Sequence, residues 1–385
     1  MKGNYKRLGD YIRQVDVRNR DLAEEKLLGL SIAKQFIPSI ANTIGTDMRN
    51  YKVVELRQFG YVPVTSRNGD KITIALYNGV EPCIISQAYT VFEVIDEDEL
   101  LPEYLMMWFR RPEFDRYARF KSHGSAREVF EWDEMCDVML PIPPIEEQRK
   151  IVSEYQAIEQ RIENNRRLIA TLEATAQTIY RKMFVEDIDM ENLPEGWKMG
   201  TIGEFGMVVT GKTPSSNCPD DFGSAIDFIT LSEFSGENLF CTKAKRGLSL
   251  DGITKLQGKL IPKCSIAVTC IGSDMGKVRI CPKECISNQQ INSIIMSDKN
   301  EMPFLFFSLR NMKDYFQRIA LGGSTMLMLS KSEFEKIKVL FPSKMCMDTF
   351  AGQTFPIIKF VMSLESEIHI LQQTQHIILS RLINL

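Results

Sequence analysis

Residues 145–185 decide the fold, and their sequence is IEEQRKIVSEYQAIEQRIENNRRLIATLEATAQTIYRKMFV. Apolar or aromatic residues recur at alternating steps of four and three from Ile151 to Met183, and Asn165 is the one strongly polar residue in that series. This spacing, sustained over about four heptads, predicts a long helix with one seam that packs against another helix. The seam positions are Ile151, Tyr155, Ile158, Ile162, Asn165, Ile169, Leu172, Ala176, Ile179 and Met183.

The segment 343–385 carries a second seam in the same register, and most of its positions are apolar. Because the two seams match, we predict that the helices pair with each other as an antiparallel coiled coil. The alternative is that each helix packs separately on its own globule. Pro356 is expected to kink the second helix or to delay its start, since proline lacks the amide hydrogen that a helix interior requires. The positions of this seam are Phe350, Thr354, Ile357, Val361, Leu364, Ile368, Leu371, Gln375, Ile378 and Leu382.

Outside the helices, short motifs occur twice along the chain in the same order. Two copies of one unit explain this order economically. The matching pairs are Leu8-Gly9-Asp10 with Ile202-Gly203-Glu204, Ile85-Ser86-Gln87 with Ile286-Ser287-Asn288, Gly124-Ser125 with Gly323-Ser324, and Pro143 with Pro342.

The remaining segments mix the two kinds of periodicity. Residues 89–94 and 265–270 alternate as strands do, whereas 104–117 and 304–319 are predicted as short helices. The fold class is therefore α+β, with two globules in tandem repeat, each followed by one long helix. We place the first globule at residues 1–144, its helix at 145–185, a turn-rich linker at 186–198, the second globule at 199–342 and its helix at 343–385.

The composition suits a folded protein of two ordinary domains, with 385 residues of which 44% are hydrophobic and 25% are charged. A net charge of −3 gives no argument for nucleic acid, but cations are concentrated in residues 110–127 and 243–283. These stretches fit a DNA-binding face and a plain solvated surface about equally well. The polar N-terminus and the lack of a long apolar run favour a cytoplasmic protein without a membrane anchor, in which the nine cysteines are reduced.

Two patterns suggest chemistry and are better explained otherwise. Gly206–Thr213 fits the phosphate-loop pattern, but Pro214 follows at once, and a phosphate loop requires a helix that begins at its lysine. Cys264, Cys270, Cys281 and Cys285 lack the spacing of paired zinc knuckles and are expected to be buried thiols. We therefore expect a recognition protein without catalytic or metal-binding residues. A nucleotide-driven enzyme built on Gly206–Thr213 is the weaker alternative.

Several motifs resemble the specificity (S) subunit of type I restriction–modification systems. Pro143–Ile151, with sequence PPIEEQRKI, resembles the proline turn and Glu-Gln start of the family's first conserved helix. At Pro342–Met347 the second proline and the Glu-Gln pair are missing. The other similar motifs are Leu193–Trp197, before the second recognition domain; Thr210–Ser215, at its Gly-x-Thr-Pro opening; Gly272–Val278 and Ser287–Asn292, in its core; and Ser86–Phe92, in the first half.

This resemblance implies a subunit that binds double-stranded DNA and has little chemistry of its own. Each globule would recognise one half of a split target, and the helix pair would fix the gap between the halves. Two modification subunits would dock on the helices and bring S-adenosylmethionine for adenine methylation, and restriction (motor) subunits would add ATP- and Mg²⁺-dependent cleavage. No cofactor or metal is expected on this chain itself. A specificity subunit of a related fused methylase–nuclease system is the nearest alternative.

Within the globules we predict two kinds of DNA contact. Cations hold phosphates and position the protein, whereas amide side chains can read adenine edges in the major groove. The competing interpretation of the amides is that they satisfy buried backbone groups. The predicted phosphate contacts are Arg127, Lys212, Lys255, Lys259 and Lys277, and the predicted base contacts are Gln87, Asn288, Gln289 and Gln290. The main predicted helix-pairing residues are Ile151, Ile158, Ile162, Asn165, Leu172, Ile179, Val361, Leu364, Ile368, Leu371 and Ile378.

Overall fold

The computed structural model describes residues 5–39, 45–66, 68–69, 71–124, 127–236, 238–241, 244–322 and 328–384. The chain divides into two compact units, Met1–Glu163 with His369–Leu385 (unit 1) and Asn164–Ile368 (unit 2). Both divisions fall inside the long helices, so each unit contains a globule and part of both helices.

The described residues form twenty β-strands and ten α-helices, with short 3-10 turns between them. The strands are β1 Tyr5–Arg7, β2 Ile12–Val15, β3 Leu28–Leu30, β4 Phe36–Pro38, β5 Lys52–Val54, β6 Phe59–Val62, β7 Thr73–Leu76, β8 Cys83–Ile85, β9 Thr90–Val94, β10 Met139–Pro141, β11 Lys198–Thr201, β12 Gly206–Thr210, β13 Phe222–Gly223, β14 Ile226–Ile229, β15 Arg246–Leu248, β16 Ile266–Thr269, β17 Val278–Ile280, β18 Cys285–Ser287, β19 Ile291–Met296 and β20 Lys338–Phe341. The helices are α1 Pro102–Phe109, α2 Pro112–Lys121, α3 Trp132–Cys136, α4 Ile145–Phe184, α5 Ile202–Phe205, α6 Leu250–Lys255, α7 Met302–Asn311, α8 Lys313–Gly322, α9 Lys331–Glu335 and α10 Lys344–Arg381.

The sequence repeat is a structural repeat. Each globule has a four-stranded antiparallel sheet, in the order β2-β9-β6-β7 in unit 1 and β12-β19-β16-β17 in unit 2. In each sheet, the strand that comes first in the chain, β2 or β12, pairs with the strand that comes last, β9 or β19. A separate antiparallel pair, β1–β10 or β11–β20, joins the beginning of each globule to its end. Three short helices follow the sheet in both copies. The predicted α+β tandem fold is therefore confirmed.

The predicted short helices are each broken in two. The segment predicted at 104–117 forms α1 and α2, because Pro112 can begin a helix but cannot continue one. The segment predicted at 304–319 forms α7 and α8, which meet at Met312, where the backbone leaves the helical conformation.

The long helices begin and end close to the predicted residues. Helix α4 starts directly after Pro143-Pro144. Helix α10 starts at Lys344 although the second proline and the Glu-Gln pair are absent, and it contains Pro356. The expected delay of the helix start by Pro356 is wrong, because α10 begins at Lys344, well before the proline. Its exposed position lets the helix tolerate the missing amide hydrogen, because the freed carbonyl can be hydrated.

Each unit shows the two long helices packed in opposite directions. In unit 1, Val152 and Tyr155 near the start of α4 share a core with Leu379 in the last turns of α10. In unit 2, Tyr180 near the end of α4 shares a core with Phe350 in the first turns of α10. The beginning of one helix therefore meets the end of the other, as the antiparallel prediction requires.

All twenty seam positions are buried or half-buried. The seams nevertheless widen at their ends, because Val152 and Tyr180 add a second row that packs into the globules. The helices thus pair with each other and also pack on the globules, so the two alternatives are not exclusive. Asn165 is 3% exposed, and within the described part of the chain its amide nitrogen lacks a hydrogen-bond partner.

Candidate nucleic-acid interface

Three segments of unit 2 meet at one end of its antiparallel sheet: the loop after β12, the loop between β16 and β17, and the turn between β18 and β19. The backbone amide of Lys212 donates to the Ser287 carbonyl at 2.8 Å, and that of Cys270 donates to the Gln290 carbonyl at 2.8 Å. A β-carbon at Gly211 would lie 2.1 Å from the Ser287 carbonyl oxygen, so only glycine fits there. Close packing therefore accounts for this glycine of the phosphate-loop pattern.

The segment 211–217 contains neither helix nor strand, as predicted from Pro214. No helical amides therefore face the Lys212 side chain, which is exposed. The arrangement needed to cradle a nucleotide phosphate is missing from this described segment.

The three amide side chains of the β18–β19 turn that were predicted to contact bases differ in their surroundings. Asn288 is buried, its side-chain oxygen accepts from the Gln290 amide at 3.1 Å, and its side-chain nitrogen donates to Gln290 Oε1 at 2.9 Å. These two residues hold the shape of the turn, as the competing interpretation expected. Gln289 between them is exposed, and its Oε1 accepts from Thr213 Oγ1 at 2.7 Å. Gln289 and Lys212 thus present adjacent exposed polar groups on neighbouring loops.

A hydrogen-bonded pair formed by the half-buried Thr210 and the buried Asn292 supports these loops, and it was not predicted. Asn292 Oδ1 accepts from Thr210 Oγ1 at 2.5 Å, and Asn292 Nδ2 donates to the Leu329 carbonyl at 3.3 Å. This joins β12 and β19 to the segment that follows α8. The available signal was an asparagine inside a mostly apolar, buried strand, Ile291–Met296.

The β16–β17 loop is tightly packed. Gly276 has a φ of +85°, and a β-carbon there would lie 2.8 Å from the Phe316 side chain. Lys277 is half-buried, with its ammonium 2.6 Å from Asp274. The positive charge predicted to hold a phosphate is therefore partly compensated within the loop.

The two other lysines predicted in unit 2 lie in α6 and the turn after it, a segment that packs against a different sheet, β13-β15-β14-β18. Lys255 ends α6, and its ammonium is 2.6 Å from Asp221, a contact that raises the pKa of Lys255. Lys259 lies in the following turn and is half-buried. The sheets are connected through β18, which leads directly into the Asn288–Gln290 turn.

Unit 1 has a turn at the same position. Between β8 and β9, the amides of Ala88 and Tyr89 donate to the side chain and the carbonyl of Ser86, and Gln87 is exposed. The loop after β2 brings further cations that were not predicted. Arg18 donates to the Asn50 carbonyl at 2.8 Å, and Arg20 to the Asn50 side chain at 3.1 Å.

Most of the basic stretch 110–127 is used within unit 1. Its five described cations besides Arg127 have carboxylate partners, which favours the plain-surface interpretation for most of this stretch. Arg111 is nearly fully buried and stacks on Trp108, 4.0 Å from the ring centre. Arg127 itself is exposed. The ion pairs are Arg110–Glu159 at 2.5 Å, Arg111–Glu113 at 3.5 Å, Arg116–Glu113 at 3.1 Å, Arg119–Glu128 at 3.6 Å and Lys121–Glu134 at 3.1 Å.

The cysteines are free thiols. Cys270, Cys281 and Cys285 are buried as expected, whereas Cys264 is half-buried in a turn with a φ of +68°. Contacts with Cys241 and Cys285, together with burial, raise the pKa of the Cys281 thiol. Among the described residues, no three His, Cys, Asp or Glu side chains are arranged to hold a metal ion. Within the same residues, no helix combines the length and hydropathy needed to cross a membrane.

Comparison with known proteins gives a consistent result. Residues 36–174 and 194–349, more than half of the chain, match the type I restriction modification DNA specificity domain. The chain is 25% identical to the HindI type I restriction enzyme specificity subunit of Haemophilus influenzae, across 83% of this chain and 84% of that protein. It is 26% identical to the MjaIX specificity subunit of Methanocaldococcus jannaschii, across 41% of this chain and 37% of that protein. A crystal structure of the S subunit of a type I restriction–modification system from M. genitalium shares the fold, with a TM-score of 0.64, 14% identity, and coverage of 98% of this chain and 95% of that chain.

Proposed function

This chain belongs to the family of type I restriction–modification specificity proteins, and we propose that it recognises a bipartite DNA target for an adenine-methylating complex. The observation that carries the proposal is the duplication. Two globules with the same sheet order each place an exposed amide side chain, Gln87 or Gln289, in the turn that precedes the last strand of the sheet. Two copies of one recognition element are suited to two separated half-sites.

The chemistry is proposed to reside in the partners. Two modification subunits would bind the α4–α10 pair and supply S-adenosylmethionine, and motor subunits would add ATP- and Mg²⁺-dependent restriction. This chain would contribute DNA binding and orientation without a catalytic residue. Lys212 would hold a phosphate, and the exposed Gln289 would contact a base edge.

Methylome sequencing of a host that expresses this chain with its modification subunit tests the proposal. We expect methylated adenine in one two-part sequence. Replacing residues 1–144 by the corresponding globule of a relative should change one half of that sequence and leave the other intact. A change in both halves, or methylation independent of this chain, would contradict the proposal.

The long helices are proposed to set the unread gap. One heptad added to both α4 and α10 keeps the seam register and lengthens each helix by about 10 Å, at 1.5 Å per residue. The gap in the methylated sequence should then lengthen by roughly three base pairs, at 3.4 Å per pair, or methylation should be lost. An unchanged gap with full methylation would exclude the helices as the spacer.

A further inference from the structure

A β-hairpin is inserted in unit 1 between the first strand of the sheet and β5. The hairpin pairs β3 with β4, and its tip folds onto α1 and α2. Lys34 at the tip is 6% exposed and has a φ of +61°, and its ammonium lies 2.7 Å from Asp115 and donates to the Phe109 carbonyl. Burial lowers the pKa of Lys34, while Asp115 opposes that effect. The buried pair therefore fixes the hairpin against the helices.

An open cavity of about 850 Å³ lies beside this anchor, bordered by the hairpin, α2 and the N-terminal half of α4. We call it the hairpin pocket. Five cations and two carboxylates line it, and two of the cations, Arg116 and Arg119, also contact Glu113 and Glu128, which do not line it. The cations are Lys34, Lys71, Arg110, Arg116 and Arg119, and the carboxylates are Asp115 and Glu159.

Two large apolar side chains line the hairpin pocket and remain exposed. Phe120 at the end of α2 is 79% exposed, and Ile32 on the hairpin is 50% exposed. Arg116, beside them, is 70% exposed even though it contacts Glu113, which does not line the pocket. Exposed aromatic and aliphatic groups next to arginine are typical of protein-binding surfaces.

We infer that the hairpin pocket binds an acidic peptide segment with an aromatic or aliphatic anchor residue, supplied by the modification subunit. The inference rests on the proposed function, because that subunit is the partner expected on α4, and Tyr155 and Glu159 of α4 line the pocket. Acidic side chains match the surplus of cations, and the anchor covers Phe120 and Ile32.

Duplex DNA fits this surface less well. The pocket is concave, and a phosphate backbone gains little from an exposed phenylalanine. A peptide segment can place its carboxylates beside Arg116 and Lys71 and its apolar side chain against Phe120. The geometry therefore favours a protein partner.

Photo-crosslinking of the assembled complex tests the inference. A benzoylphenylalanine at position 120 of the full chain, in complex with the modification subunit and target DNA, should crosslink to an acidic segment of that subunit. The same probe at Met190, which is 56% exposed in the linker, is the control and should not label that segment. Crosslinks to DNA, to a segment that is not acidic, or to no partner would overturn the inference.

Binding measurements provide a second test. Phe120→Ser and Arg116→Glu should each weaken the binding of the modification subunit about tenfold or more, as expected for central interface residues. Arg13→Glu, a charge reversal at a 63%-exposed arginine outside the pocket, should change it less than twofold. Unchanged affinity in both pocket variants would overturn the inference alone, whereas failure of the unmodified chain to bind the subunit would overturn the proposed function.

Discussion

Both globules meet the long helices through apolar side chains and one polar group, which differs between them. In unit 1 it is the buried amide of Gln148 in α4, which accepts from the Leu101 amide at 2.9 Å, and in unit 2 it is a half-buried carboxyl group. In unit 1, Tyr155 of α4, Leu379 of α10 and Leu382 in the turn after α10 enter the globule core. In unit 2, Glu365 of α10 accepts a hydrogen bond from the Leu239 amide at 2.9 Å, and burial raises the pKa of Glu365 to about 7. Two copies of one fold are thus attached to the helices by different chemistry.

Both units contain an arginine–glutamate contact to α4, at different positions along that helix. An arginine near the end of the first short helix reaches α4 in both units, with Arg110 contacting Glu159 at 2.5 Å and Arg310 contacting Glu173 at 3.2 Å. The repeat has therefore kept its sheet while the attachments and insertions diverged. Each difference can be tested by a substitution that affects one unit.

Loss of the hairpin anchor should have the largest effect on stability. Lys34→Met leaves Asp115 buried without its partner, and we expect unit 1 to lose about 3–5 kcal/mol of unfolding free energy. Methionine meets the same backbone strain at this positive φ, so the change removes only the contacts of the ammonium group, which are the ion pair with Asp115 and the hydrogen bond to Phe109. Urea unfolding followed by the fluorescence of Trp108 and Trp132, with Trp197 replaced by Phe, reports on unit 1.

A second variant provides the control for this prediction. Lys34→Met with Asp115→Asn removes the uncompensated charge and keeps an acceptor for the Ile72 amide, which donates to Asp115 at 3.1 Å. It should recover part of the lost stability. A loss below about 1 kcal/mol in the single variant would show that the hairpin does not depend on the pair.

The attachment of unit 2 should depend on pH. Because the pKa of Glu365 is raised in the folded state, its contribution to stability is fully present below the ordinary carboxyl pKa and is lost as pH rises toward about 7. We expect a loss of about 2–3 kcal/mol between pH 5 and 8. Glu365→Gln keeps a carbonyl acceptor for Leu239 but does not titrate, so it should abolish most of that loss. Equal pH dependence of stability in the unmodified protein and in Glu365→Gln, measured by urea unfolding, would contradict the assignment of the titration to Glu365.

A smaller change in stability is expected from a substitution in the helix pair. Asn165→Leu removes a buried amide nitrogen without a described partner and should stabilise the chain by about 1–3 kcal/mol. The polar group can also select the helix register, so the variant should populate slipped or intermolecular pairings more often. Denaturation and light scattering measure the two consequences. Destabilisation would show that Asn165 is satisfied in solution.

The fold could be predicted because its signals are local. The seam of α4 is a periodicity within one segment, and the repeat is visible as motifs in the same order. The helix breaks at Pro112 and Met312 were missed because the apolar pattern continues across them.

The candidate site could be predicted only in part, because its contacts join distant segments. Nothing near Gln289 in the sequence shows that Thr213 will contact it, and nothing near Asn292 shows that Thr210 will donate to it. Similarly, the charge of residues 110–127 suggested a free basic face, but carboxylates such as Glu159 and Glu134 lie outside that stretch. Strand pairing and helix packing decide these contacts.

The smallest effect is expected on DNA binding, at one position that is equivalent in the two globules. Strand pairing aligns Val15 with Val91 in unit 1 and Thr210 with Asn292 in unit 2, which places Val17 at the position of Lys212. Both side chains are exposed. If Lys212 holds a phosphate, Lys212→Val should reduce the magnitude of the slope of log affinity against log salt by about 0.9 and weaken the binding of all DNA sequences alike. Val17→Lys should increase that magnitude by a similar amount if the loop that carries it also faces the DNA backbone. Binding titrations of the assembled complex at several salt concentrations measure both. If Lys212→Val instead lost affinity only for the methylated target sequence, Lys212 would contact a base. If the unmodified chain bound ATP saturably and the variant did not, the phosphate-loop interpretation, which the missing helix argues against, would be restored.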